Sequence, residues 1–287
     1  MKPSSFEYHE VRTVQQAVEI LAEVCADDGR ILAGGQTLVP AMAMRLARPA
    51  HLVDINRIPE LAVLTVQSDH LSIGACVRHA AFHEPVVDGP LGHLLAIVVR
   101  HIAHLPIRMR GTFCGSLANA DAASEWCLVA VTLNANIHMR SIRGERSLRA
   151  SEFFLGYMST AMEPDEMLVA TDLPLLPEDT HFGFEEYSRR AGDFAQAMCL
   201  VSFELRNDVM FGVRVGVGAV EGAARRLAEA EAVLESQIPC LECFARAADA
   251  AAQAIEPSEP GDEERQYKRE LVRTVVLRAL QKTITAV

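Results

Sequence analysis

Two short segments of the sequence have the residue types needed to hold an anionic ligand. The first is Ala33-Gly34-Gly35-Gln36-Thr37-Leu38, directly after the strand-like run Arg30-Ile31-Leu32-Ala33. Glycines let a backbone turn tightly and approach a ligand with no Cβ in the way. Consecutive N–H groups can then form a nest for phosphate oxygens, and Gln36 and Thr37 add side-chain hydrogen-bonding capacity. The second segment is Arg110-Gly111-Thr112-Phe113-Cys114-Gly115-Ser116, followed by Leu117-Ala118-Asn119-Ala120-Asp121. Its small residues and hydroxyls suit phosphate or polyol oxygens, with Arg108 and Arg110 upstream to offset pyrophosphate charge. Neither segment is a G-x-G-x-x-G fingerprint or a G-x-x-x-x-G-K-[ST] loop. Taken singly, each is equally the turn of a plain strand–helix connection.

Other chemistries find less support. There is no G-x-S-x-G elbow and no H-E-x-x-H. The ten histidines are scattered. His101 and His104 are three apart, but no third ligand suggests itself; they are expected as surface or capping residues, and no metal site is expected. The seven cysteines are odd in number and dispersed, which is not a disulfide framework. Cys240 and Cys243 form a C-x-x-C without a second pair or nearby histidines, and they follow Pro239 in a C-terminal segment. They read as reduced, structural thiols rather than a zinc, redox or iron–sulfur motif. Trp126 is expected to be packed rather than functional.

Composition narrows the partners. Of the 287 residues, 27 are Lys or Arg and 38 are Asp or Glu, a formal charge of −11. An acidic chain lacks the basic face that nucleic-acid binding needs, and 6% aromatics give little for base stacking. Half the residues are hydrophobic, which excludes disorder and supplies a sizeable core. The N-terminus has no apolar targeting core, and no run approaches the ~18 apolar residues of a membrane span. A cytoplasmic chain with no membrane span is expected.

The elements that must position these loops fall into three units. The first reads β-α-β: a helix capped by Thr13 with apolar residues at 14, 17, 18, 21, 22 and 24, a stop at Asp27-Asp28-Gly29, a strand over 30–33, a helix over 38–46 and a strand over 51–55. The second has strands at 71–75, 136–140 and 167–174, an apolar helix over 91–104, and a hairpin turn at 143–146. The third has strands at 200–205 and 211–218 around Arg206-Asn207-Asp208. Helices over 224–235, 241–254 and 263 to the end follow it, the last two separated by a polar linker. The class is α+β.

At the two glycine loops the sequence resembles the FAD-binding (medium) subunits of the molybdenum hydroxylase, or xanthine dehydrogenase, family, carbon monoxide dehydrogenase medium subunits included. Ala33-Gly34-Gly35-Gln36-Thr37-Leu38, with Val53-Asp54-Ile55-Asn56 downstream, resembles the first FAD motif. Arg110 to Asp121 resembles R-G-T-I-G-G-S-L-A-H-A-D. Ser188-Arg189-Arg190-Ala191-Gly192-Asp193-Phe194-Ala195 resembles R-R-x-G-D-Y/F-A, and Gln266 to Leu271 with Leu277 to Leu280 resembles the C-terminal helix. The order and spacing match over essentially the whole chain.

The resemblance implies a two-subdomain FAD-binding fold of the vanillyl-alcohol-oxidase (PCMH) type, residues 1–57 and 58–177, with FAD between them. A small C-terminal domain of antiparallel sheet and helices, 178–287, would complete it. Ile31, Leu32, Ala33, Gly34, Gly35, Gln36, Thr37 and Leu38 would wrap the pyrophosphate and ribityl chain. Thr112, Cys114, Gly115 and Ser116 would hold it from the other side, and Asp121 and Glu125 would supply carboxylate contacts. Ile102 and Leu168 would be apolar walls, and Phe194 would cover the isoalloxazine. The partners implied are a large molybdopterin subunit and a small iron–sulfur subunit with 2Fe–2S clusters, as a dimer of heterotrimers, and no side chain here need be a general acid or base. A stand-alone flavin oxidoreductase and a flavin-poor assembly subunit are the alternatives. Two departures set expectations. Cys114 stands where the family has glycine, so its sulfur should crowd the pyrophosphate or strain a positive-φ position. Glu185 and Glu186 stand where family members often carry lysine, bringing unfavourable charge towards an anionic cofactor.

Overall fold

The computed structural model describes residues 2–285. The first unit is a parallel three-stranded sheet. Strand β1 (Glu7–Glu10), helix α1 (Val14–Val24), strand β2 (Gly29–Leu32), helix α2 (Leu38–Ala43) and strand β3 (His51–Asp54) follow in chain order, with β3 in the middle of the sheet. Thr13 Oγ1 accepts from Gln16 N and caps α1, whose Val14, Ala17, Val18, Leu21 and Val24 are buried. Asp28 takes a left-handed conformation (φ 54°) and ends that segment. Leu52 and Val53 on the central strand are both buried, as expected of a parallel strand covered on both faces. Helix α2 stops at Ala43, earlier than the apolar run suggests, and Arg45 turns the chain out at φ 60°.

The second unit holds β4 (Leu64–Val66), β5 (His70–Gly74), α3 (Pro90–Val98), α4 (Leu105–Arg108), α5 (Phe113–Asn119), α6 (Glu125–Thr132), β6 (Asn136–Ser141), β7 (Gly144–Arg149), α7 (Ala150–Phe153), the short hairpin β8 (Phe154–Gly156) and β9 (Ser159–Thr160), and β10 (Met167–Pro174). Its five-stranded sheet runs β4-β5-β10-β6-β7, all antiparallel. The hairpin turn expected at 143–146 lies two residues earlier: Ser141 pairs with Gly144, leaving Ile142-Arg143 as the two-residue loop. The helix expected over 91–104 ends at Val98. Pro106 lacks the N–H that would bond the Ile102 carbonyl. Instead the Arg108 guanidinium donates to the carbonyls of Arg100, Ile102 and Ala103 at 3.3, 2.9 and 3.2 Å. All three bonds use Arg108 Nη1, so the side chain braces this turn.

The third unit is a four-stranded antiparallel sheet, β11 (Thr180–Tyr187), β12 (Ala197–Arg206), β13 (Val209–Gly218) and β14 (Arg225–Arg226), with helices α8 (Ala228–Leu234), α9 (Leu241–Ala254) and α10 (Asp262–Thr285). Asn207 and Asp208 (φ 51° and 62°) make the β12–β13 turn, both in the left-handed region that a two-residue hairpin loop requires. Strand β12 is buried on both faces. Met198 and Leu200 pack into the core shared with the second unit, whereas Ala197, Cys199, Val201 and Phe203 pack under α9 and α10. Cys240 Sγ accepts from Cys243 N and caps α9, so the C-x-x-C is a helix start, and all seven cysteines are free. Among the described residues, no helix is long and apolar enough to cross a membrane.

Candidate functional site

The two glycine loops meet. A Cβ on Gly34 would stand 2.6 Å from both the Arg110 carbonyl oxygen and the Gly111 Cα. Only glycine permits that approach. Gly35 at φ 69° turns the chain into α2, and Gln36 Nε2 braces the turn by donating to the Gly34 carbonyl at 2.9 Å. Among the described residues, no backbone N–H from Gly34 to Leu38 donates to a protein acceptor. The loop thus presents a row of free donors beside a surface that closes against the second loop. Ile31, Leu32 and Ala33, leading into it, are half-buried.

Asn56 of the first motif, together with Arg78, which no motif singled out, locks this junction. Asn56 Nδ2 donates to the Leu32 and Ala33 carbonyls at 3.3 and 2.8 Å. The Arg78 guanidinium donates both to Asn56 Oδ1 and to the Arg110 carbonyl. One half-buried cation therefore ties the first loop to the second, across the first and second units. His79 N donates to the Gly111 carbonyl at 3.0 Å, and Trp126 Nε1 donates to His79 Nδ1 at 2.9 Å. His79 accepts there as a neutral ring. Its pKa is lowered to about 4 by burial, with Arg78 and Arg108 adding to the effect. Trp126 is fully buried, as expected of a packed residue.

Thr112 caps α5, its Oγ1 accepting from Gly115 N at 3.0 Å. Cys114 lies within that helix, not at a positive φ. Its sulfur points away from the loop junction into the core and contacts the Ile73 carbonyl and Thr171 Oγ1, each at 3.4 Å. The expectation that Cys114 crowds the ligand or strains the turn is corrected: the side chain is a core contact between β5 and β10, and only its backbone remains at the loop. Gly115 and Ser116 are half-exposed on the same turn.

From α5 the wall continues to the C-terminal sheet. Asp121 Oδ1 accepts from Ala123 N at 2.9 Å in the turn leading to α6. Glu125 opens α6, and burial, helped by Asp121, raises its pKa to about 7. Glu186 on β11 faces it. Its side chain is only 3% exposed, with Oε2 3.7 Å from His101 Nδ1 and no hydrogen-bond partner. Burial, then the nearby Glu125 and Glu185, raises its pKa to about 8. The charge expected at this place is therefore corrected too. Glu186 holds a proton near neutrality, and Glu185 is paired with Lys282 at 2.6 Å and Arg278 at 3.4 Å.

The remaining candidates divide. Ile102 and Leu168 are both buried in the protein's own core. Phe194 is 74% exposed, at the end of a loop in which Gly192 (φ 85°) lies so close over His104 that a Cβ would stand 2.3 Å from its ring. That contact brings the Phe194 loop against the irregular turn carrying His101 and Ile102. The contacts thus join both glycine loops, Glu125, Glu186, the 101–104 turn and the Phe194 loop in series. A cleft of about 690 Å³ lies elsewhere, lined by Asn134, Phe154, Glu221, Arg225 and others. It contains none of these residues, and its Glu221 and Arg225 pair with each other at 2.6 Å.

Comparison with known proteins completes the description. Residues 4–176 match the FAD binding domain in molybdopterin dehydrogenase. Residues 182–283 match the CO dehydrogenase flavoprotein C-terminal domain. The chain is 36% identical to the 6-hydroxypseudooxynicotine dehydrogenase complex subunit alpha of Paenarthrobacter nicotinovorans, over 99% of this chain and 96% of that one. Among solved structures, it is similar to a chain of carbon monoxide dehydrogenase from Hydrogenophaga pseudoflava, with TM-score 0.93, 33% identity and 99% of both chains covered. It is also similar to a chain of quinoline 2-oxidoreductase from Pseudomonas putida 86, with TM-score 0.91, 32% identity, and 100% of this chain and 99% of that one covered. With a free-donor glycine loop closed against a second glycine loop and both family domains matched in order, the chain belongs to the FAD-binding flavoprotein subunits of the molybdenum hydroxylase, or xanthine dehydrogenase, family of oxidoreductases.

Proposed function

We propose that this chain holds FAD at the junction of its two glycine loops and serves as the electron-exit subunit of a multi-subunit molybdenum hydroxylase. When bound, the flavin supplies the two-electron redox chemistry. The protein's own residues bind, orient and shield. The row of N–H groups from Gly34 to Leu38 and the Thr112–Ser116 turn would hold the pyrophosphate and ribityl oxygens. Asp121 and Glu125 would accept or share hydrogen bonds, and the exposed ring of Phe194 would lie over the flat face of the cofactor. Glu186, protonated near neutrality, can donate a hydrogen bond where a carboxylate would repel. The observation that carries the reading is the glycine-on-glycine contact of Gly34 with Gly111 beside five unpaired N–H groups. That is a cradle that any Cβ would fill.

The division into subdomains at 57/58 and 177/178 is part of this reading. So are a large molybdopterin subunit, a small iron–sulfur subunit and assembly as a dimer of heterotrimers. The relatives' names support it: they include a medium subunit of nicotine 6-hydroxylase and medium chains of carbon monoxide dehydrogenase. Because those names span heteroaromatic compounds and carbon monoxide, substrate choice is assigned to the partner that carries molybdenum. Affinity-tagged chain from its native host should recover two further chains, and substrate-driven flavin bleaching should require all three. Recovery of a lone chain that turns over a substrate would favour the stand-alone oxidoreductase.

The inward sulfur of Cys114 removes the reason to expect eroded flavin binding. Cys114→Gly should fail to raise flavin content. It should lower stability by about 1–3 kcal/mol, because it deletes a buried side chain and puts glycine inside a helix. Denaturant unfolding with parallel flavin titration checks both. A clear gain in flavin affinity in that variant would mean the sulfur does crowd the cofactor.

A further inference from the structure

Away from the flavin cradle, the first sheet gathers two imidazoles and a carboxylate. Side chains alternate along a strand, so Glu7 and His9 share one face of β1, while Tyr8 and Glu10 take the other. Parallel pairing sets His51 of β3 opposite Glu7, and Val53 opposite His9. His9 Nε2 then lies 3.1 Å from His51 Nδ1, and Glu7 Oε2 lies 3.7 Å from the same nitrogen. One ligand atom from each of the three residues lies within 4.8 Å of the other two. The two rings stack, with centroids 5.3 Å apart and planes at 27°.

These separations match a tetrahedral site. Zinc bonds to imidazole nitrogen at about 2.0–2.1 Å and to carboxylate oxygen at about 2.0–2.2 Å, so neighbouring ligand atoms stand roughly 3.3–3.5 Å apart. The 3.1 and 3.7 Å separations bracket that edge. Small side-chain rotations would close all three atoms on one ion, leaving the fourth position to water. Two imidazoles with one carboxylate favour zinc and its late transition-metal neighbours over magnesium or calcium. Nearby acids are otherwise engaged: Asp54 accepts from Tyr8 Oη, and Glu10 pairs with Arg12 and Arg57.

We propose that Glu7, His9 and His51 bind one divalent transition-metal ion of the zinc class, which clips the amino-terminal strand β1 to β3. Strand β1 is four residues long and lies at the sheet's edge. A clip between residues 7–9 and 51 closes a long chain segment, the case in which a cross-link restrains the unfolded chain most. The order of residues hid this site, because the third ligand is more than forty positions from the first two and only the parallel register brings it across.

The test uses the purified full-length chain, stripped with a chelator and titrated with Zn(II), and in parallel with Co(II) as a spectroscopic probe. One equivalent should bind, with a cobalt spectrum of nitrogen and oxygen ligation and no thiolate charge-transfer band. His9→Gln and His51→Gln should each weaken binding at least about tenfold, the scale at which even outer-shell changes are felt. Glu7→Gln should weaken it less, and Cys240→Ser should leave it unchanged. Metal should slow hydrogen exchange of the residue 7–10 amides. Should His51→Gln fail to fold, Glu7→Gln, at an exposed carboxylate, and His9→Gln carry the test. Wild-type affinity in both, a thiolate band, or no binding by the wild-type chain would overturn the site.

Discussion

Gly34→Ala is expected to cut FAD affinity about 30-fold or more and to destabilise the apo-protein as well. The added methyl group meets two backbone atoms at 2.6 Å, the Arg110 carbonyl oxygen and the Gly111 Cα. Neither can rotate aside, as a flexible side chain could. Overpacking of this kind costs about 1–3 kcal/mol. Two kcal/mol spent on separating the loops corresponds to roughly 30-fold in Kd. Calorimetric titration with FAD and a thermal melt of the apo-chain measure both effects. Gly156→Ala is the control, since nothing lies within 4 Å of the Cβ it would add. Equal affinity in Gly34→Ala and wild type would mean that the junction of the loops is not where the cofactor sits.

The second large effect is on pH dependence. Glu186 is raised from 4.5 to about 8 and Glu125 from 4.5 to about 7, both chiefly by burial. In the unfolded chain both release their protons near 4.5, so the folded state binds more protons between there and about 8. Stability from this pair is therefore full below the unfolded value and is lost as pH rises through the folded values. Each unit of displacement is worth about 1.4 kcal/mol for an independent group, but the two acids repel each other, so the combined effect is less than a simple sum. Glu186→Gln removes one ionisation while keeping the shape. The variant should lie within about 1 kcal/mol of wild type at pH 5 and be more stable by about 3 kcal/mol at pH 9. Comparing the two proteins cancels the opposing contribution of His79, which the fold holds neutral down to about 4. Urea unfolding at several pH values tests it, and parallel pH profiles for the two chains would refute it.

What the sequence revealed and what it hid follow from range. The glycine loops were legible because turn chemistry is local: Gly34 and Gly35 after a strand, and Thr112 capping a helix, are patterns within a few residues. The locks on those loops were not. Asn56 stood in the first motif with no role, and Arg78 and Trp126 act across 22 and 47 residues; no local pattern marks a side chain that will meet a distant partner. Cys114 shows a different limit. Its motif position placed its backbone at the site, but only the packing of α5 on β5 and β10 sends its sulfur inward. Glu186 likewise read as a misplaced charge until burial beside Glu125 gave it a proton. The apolar run at 91–104 read as one long helix, but it ends at Val98 and tightens into three-residue turns over 97–102 that lead to the stretch meeting the Phe194 loop. Strand β12 read as a plain hydrophobic strand. Its alternate residues serve two different cores, which explains why the C-terminal sheet packs so closely on the second unit. Strand β11 and helix α6 carry Glu186 and Glu125, and neither had a periodicity that singled it out.

The flavin content of the purified full-length chain tests the central claim most directly. Saturated with FAD and freed of excess, the protein should show a flavin absorption spectrum at one FAD per chain, released on denaturation as intact, non-covalent dinucleotide. A colourless chain that takes up no flavin on titration would contradict the account.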